Sequence, residues 1–139
     1  MNEINFELSF SELINSVSMD LLYPSESDEK IELVDFGCNL TLPIDEKSFK
    51  SVINAKSKDK FEICDVQEFY SSVAIPQDWW TEYETVRMRK FLILKDILSN
   101  KLSDLVYIRI GRVEINAYIL GKDKFDGTIK GIKTLIVET

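Results

Sequence analysis

Apolar residues recur along this chain in two rhythms, and the rhythm changes with position. Phe10, Leu13, Ile14, Val17 and Leu21 follow the three-and-four spacing of one helix face. Ser9 and Glu12 ahead of them have the spacing of a capping box, so a first helix is predicted to start there and to end near Tyr23-Pro24. After a polar acidic loop at 25–29, residues 30–36 alternate apolar and polar and read as a strand. Residues 39–43 are a candidate extended stretch. Phe49, Val52 and Ile53 mark a helix within 45–55, whose cap the pattern does not identify.

A charged turn at 56–60 leads to a short strand at 61–64. Asp65 with Glu68 begins another capped helix, with Val66, Phe69, Tyr70 and Val73 on its inner side. A loop at 74–78 leads to Trp79-Trp80. A long helix follows from about 81 to 102, with Val86, Met88, Phe91, Leu92, Leu94, Ile97 and Leu98 as a broad apolar stripe. Strands are predicted at 105–110, 113–120 and 129–138, with Gly111 and the 124–127 stretch supplying turns. Early alternation of helices and strands and a closing meander predict an α+β fold, a mostly antiparallel sheet with helices packed on it. The pattern breaks nowhere into a repeat or linker, and residues 1–139 read as one domain.

Composition narrows what such a domain does. At 139 residues and 45% hydrophobic, the chain is long and apolar enough to bury a core. Acidic residues outnumber basic ones 24 to 17, a net charge of -7. That disfavours non-specific nucleic-acid binding; the charge either attracts a basic partner or serves solubility alone. There is no histidine, which removes the commonest general base and most zinc sites. Cys38 and Cys64 lack metal-ligand spacing and read as small buried hydrophobes of a reducing compartment, with a disulfide between them left open. Residues 1–7 lack the features of a leader, and no apolar run reaches membrane-span length. A cytoplasmic protein without a cofactor and away from membranes is the expectation.

Three places carry candidate chemistry. Glu26, Asp28 and Glu29 form an acidic loop that could supply paired carboxylates, but no partner for acid–base catalysis accompanies them, so an enzyme is not expected. Trp79-Trp80 beside Asp78 is either plain core or an interface anchor, and Asp78 is also a candidate cap for the long helix. The sequence ends inside a predicted strand, which would hold Thr139 and its oxygens, next to Glu138, at a fixed place.

Four segments together are more specific. The 21–28 stretch Leu-Leu-Tyr-Pro-Ser-Glu-Ser-Asp, the 75–80 stretch Ile-Pro-Gln-Asp-Trp-Trp, the 107–121 hairpin and the terminal 131–139 strand ending Val-Glu-Thr occur in one order. In order, spacing and length they resemble the nuclease A inhibitor family. After Ser-Glu-Ser the family pattern continues into Tyr-Pro-Phe, whereas here Asp28-Glu-Lys-Ile-Glu-Leu33 follows, and 37–60 diverges as well. The resemblance implies a three-layer α-β-α sandwich of the pathogenesis-related-1-like kind. It implies a protein that plugs the active site of a metal-dependent, sugar-non-specific DNA/RNA nuclease. It further implies that Glu26, Asp78, Trp79 and Thr139 contact that partner, with Thr139 reaching the nuclease's bound Mg²⁺. The competing expectation is an acidic binding or immunity-type module for an unrelated basic target.

Overall fold

The computed structural model describes residues 4–139. The expectation of no leader rests partly on residues 1–3, which lie outside the described residues. Five strands form one antiparallel sheet in the order β3-β7-β6-β5-β4: β3 (Glu32–Gly37), β4 (Phe61–Cys64), β5 (Leu102–Ile110), β6 (Glu114–Asp123) and β7 (Ile129–Val137). A separate two-residue ribbon pairs β1 (Leu22–Tyr23) with β2 (Glu29–Lys30) around the acidic loop. The helices are α1 (Phe10–Ser18), α2 (Glu46–Val52), α3 (Val66–Tyr70) and α4 (Glu82–Lys101).

The period-two alternation of the strands divides the core. Leu33, Ile132, Ile119, Tyr107 and Cys64 are successive cross-strand partners and form one row across all five strands. That row packs with Phe10, Ile14, Phe69, Phe91, Leu94 and Leu98 from α1, α3 and α4. The alternate residues Ile108, Ile110, Tyr118 and Leu120 join a second cluster with Phe49 of α2. The central strands β5, β6 and β7 therefore bury residues of both side-chain sets, while the edge strands β3 and β4 are only partly buried.

Local signals account for most of the element ends. Ser9 caps α1 by accepting from the Glu12 amide at 3.2 Å. The helix ends at Ser18, however, short of Tyr23: Asp20 takes φ 59° and the chain turns into β1, so Leu21 reaches the core from outside the helix. Asp45 supplies the cap that the pattern left open for α2, and Asn54, at φ 58°, closes its far end. Residues 39–43 form no strand. Gly111 adopts φ 116° at the β5–β6 turn, where a Cβ would stand 2.2 Å from the Glu114 carbonyl oxygen. α4 runs into β5 with no intervening loop, three residues before the predicted strand start. On α4, Val86 and Leu92 lie outward, so the buried stripe is narrower than predicted. Cys38 is exposed, against expectation, because it follows the end of β3, and both cysteines are free.

No described helix is long and apolar enough to cross a membrane.

Candidate functional site

The acidic loop and the end of the chain meet. Glu26 and Thr139 are 113 positions apart, yet the Thr139 hydroxyl donates to Glu26 Oε1 at 2.5 Å and the Thr139 amide donates to Oε2 of the same carboxylate. The backbone explains how they come together. The Glu26 amide donates to the Val137 carbonyl at 3.2 Å, and the Val137 amide donates to Ser25 Oγ at 3.0 Å. On the other side, the Glu138 amide donates to the Val113 carbonyl at 2.9 Å. The last three residues are thus held between the 25–29 loop and the β5–β6 hairpin, as a strand continued by other means.

Electrostatics follow the same geometry. The Thr139 hydroxyl and then its amide hold the Glu26 carboxyl below its ordinary range, so this exposed group is an anion across the physiological range. Glu138 pairs with Arg109 at 2.9 Å, and Arg109 also donates to the Tyr107 hydroxyl at 3.2 Å. Burial pushes Tyr107 up to about 12, the hydrogen bond from Arg109 opposing it. Tyr107 therefore stays neutral and serves as an acceptor. Neither Arg109 nor Ser25 stood out in the sequence, because a hydrophobic pattern carries no sign of a cross-strand polar link.

Tyr23, just ahead of the acidic loop, is tied to α3 and to the turn that follows it. Its buried hydroxyl donates to the Phe69 carbonyl at 2.6 Å and accepts from Ser72 Oγ at 3.2 Å. Its ring packs tilted on Phe69 and edge-on to Phe91. Trp79 is 69% exposed and stands edge-on to the half-buried Trp80, with ring centroids 6.3 Å apart. Trp79 is therefore surface, not core. Asp78 is exposed and does not cap α4: Thr81 does, with the Glu84 carboxylate accepting from the Thr81 amide at 3.0 Å. α4 ends at the β6–β7 hairpin, where the Lys101 carbonyl accepts from the Lys124 amide. Its 20 residues span about 30 Å at 1.5 Å per residue. Midway along it, Phe91 packs edge-on to Tyr23, two residues before the Ser25 that bonds Val137. The geometry brings Glu26 and Thr139 into contact, while Asp78 and Trp79 make no hydrogen bond to either among the described residues.

Among the described residues no cluster of three or more Asp, Glu or Cys side chains is arranged to hold a metal ion. Glu29, the other carboxylate of the loop with a described partner, accepts from Ser27 Oγ at 2.9 Å. The loop and residue 139 present an exposed carboxylate and a hydroxyl, and Trp79 presents an exposed indole.

Comparison with known proteins adds one positive finding. No curated protein matches the chain. Residues 9–139 match the family described as NuiA, nuclease A inhibitor-like protein, a span that takes in the acidic loop, the tryptophan loop and the terminal strand. The chain belongs to the nuclease A inhibitor-like family.

Proposed function

We propose that this chain binds and blocks the active site of a metal-dependent, sugar-non-specific nuclease. The observation that carries the reading is the Glu26–Thr139 contact, which gathers two oxygen-bearing groups from opposite parts of the sequence into one exposed cluster. A nuclease cleft is built for a polyanion, with cationic side chains and a metal ion. Glu26 offers a carboxylate that an arginine can grip in two-pronged fashion, as it would a phosphate. Thr139 offers oxygen to a hard cation such as the partner's Mg²⁺. Asp78 supplies a second anion for the cleft rim, and Trp79 supplies apolar area that is already outside the core. The net charge of -7 favours encounter with a basic cleft. The chain carries no phosphodiester at these positions, so the bound nuclease has nothing to cleave.

The same reading takes the two helix-bearing clusters as the outer layers of an α-β-α sandwich of the pathogenesis-related-1-like kind, formed by residues 1–139 as one domain acting in the cytoplasm without enzymatic activity of its own. The divergent 28–60 region adjoins Glu26 and would set which nuclease is recognised. The test is titration of the purified protein into DNA and RNA cleavage assays of the host's own metal-dependent nucleases at fixed salt. Stoichiometric loss of both activities is expected. Unchanged cleavage by every such enzyme of the host overturns the reading and favours a different basic target.

A further inference from the structure

Beside the Glu26–Thr139 cluster stands Ser25, whose hydroxyl bonds to Ser27 and Val137 and to neither side chain of the cluster. Ser25 Oγ accepts from the Val137 amide at 3.0 Å and from the Ser27 amide at 3.3 Å, and it donates to the Ser27 carbonyl at 2.6 Å. A hydroxyl has one proton to give and two lone pairs to receive, so Ser25 is used to capacity. Two of the three bonds fold the loop back on itself at 25–27. The third takes the place of a neighbouring strand for Val137, at the point where β7 runs out of backbone partners on that side. The adjacent Glu26 amide then meets the Val137 carbonyl at 3.2 Å. One side chain therefore fixes both the curvature of the loop and its register against the terminal strand.

We propose that Ser25 is the positioning residue of the inhibitory surface, its hydroxyl setting where Glu26 and Thr139 present their oxygens to a partner. The proposal rests on the reading of Glu26 and Thr139 as partner contacts, but the role of Ser25 in placing them is testable apart from any nuclease. Without the hydroxyl, the Val137 amide loses its acceptor and the loop loses both of its internal bonds to Ser25 Oγ, so Glu26 and Thr139 are free to part. Nothing in an acidic, serine-rich loop signals this from sequence, since such loops are usually solvated.

The experiment compares wild type with Ser25→Ala, Ser25→Thr, Glu26→Ala and the Ser25→Ala/Glu26→Ala double variant. In Ser25→Ala, amide exchange at Val137 should rise about tenfold or more, as expected for loss of a single hydrogen bond. The Glu26 carboxyl, followed by NMR, should titrate at higher pH as Thr139 moves away. Inhibition of the host nuclease should weaken by about tenfold or more, with Ser25→Thr retaining it to within about threefold. In the Glu26→Ala background, removing Ser25 should add less than about twofold, because a residue that acts through Glu26 has nothing left to position. Should Ser25→Ala fail to fold, Ser25→Cys keeps the volume, hydrogen-bonds weakly and carries the same measurements. Unchanged Val137 exchange and Glu26 titration would overturn the proposal, and so would an equal loss of inhibition with and without Glu26. If the wild type inhibits no nuclease, the functional reading falls, and the two NMR measurements alone decide the role of Ser25.

Discussion

The Thr139 hydroxyl donates to Glu26 Oε1 at 2.5 Å while its amide occupies the other oxygen of the same carboxylate. The folded-state carboxyl is therefore held below its ordinary range. The sign of the pH effect follows. A depressed acid contributes its stabilisation above its unfolded-state value and loses it as pH falls through the lower folded value. The end of the chain should stay clasped at neutral pH and come loose only in acid, below the usual carboxylate range. The Thr139 amide resonance, followed from pH 7 downward, checks this. Glu26→Gln should abolish the acid transition at Thr139, and a transition that survives it belongs to another group.

Replacing Trp79 should separate binding from folding. With 69% of the residue exposed, Trp79→Ala should change stability by no more than about 0.5 kcal/mol, the usual range for surface positions. Inhibition should weaken by about 1–4 kcal/mol, as for a truncated interface aromatic. Trp80→Ala should do the reverse, lowering the melting temperature more, because that ring is half-buried. Melting curves and inhibition titrations of both variants suffice. A large loss of stability in Trp79→Ala with inhibition intact would return that residue to a structural role.

Adding residues after Thr139 should weaken inhibition far more than folding. The Val137 and Glu138 amides keep their acceptors, the Ser25 hydroxyl and the Val113 carbonyl, so the sheet is not disturbed. An extension would put bulk where the partner must close around Thr139. Deleting Thr139 should have a comparable effect by removing the hydroxyl, and inhibition by both variants should depend less on the nuclease's metal. Tight, metal-dependent inhibition by a tagged protein would count against a role for the terminus.

The opposite end of the sheet provides a control. Lys130 pairs with the buried Asp123 at 2.9 Å and with Asp126 at 2.8 Å. Lys130→Ala leaves Asp123 with only backbone donors from Phe125 and Asp126. The cost should be about 2–3 kcal/mol, less than for a fully buried pair because those amide bonds persist. The melting temperature should drop while inhibition per folded molecule stays the same. A fall in inhibition matching that of Glu26→Ala would show that the two ends are coupled.

Reading the sequence succeeded where one local rule governed. β4 and α4 fall within a residue or so of their predicted limits, because alternation marks the first and a twenty-residue run free of proline and glycine marks the second. The first helix was predicted too long. Leu21 keeps the helical spacing, yet Asp20 in a left-handed conformation has already turned the chain, and the side chain reaches the same core by another route. Thr81 was overlooked as the cap of α4 because Asp78 is the stronger capping residue by type, while the reciprocal Thr81–Glu84 bond decides the matter. The site was legible only as separate pieces. The acidic loop, the tryptophan pair and Thr139 are conspicuous in sequence, but the meeting of the loop with residues 137–139 involves Ser25 and Arg109, whose long-range bonds leave no periodic trace.

The fixing of the chain end bears on the thermodynamics of recognition. A free terminus normally surrenders its backbone freedom at the moment of docking, about 1–2 kcal/mol for each residue ordered. Here Val137, Glu138 and Thr139 have given up that freedom during folding. The penalty is charged against the stability of the unbound protein and not against the complex. Residues held in this way meet a target as a rigid tooth, and their engagement should carry little of the unfavourable entropy that accompanies the capture of a flexible segment.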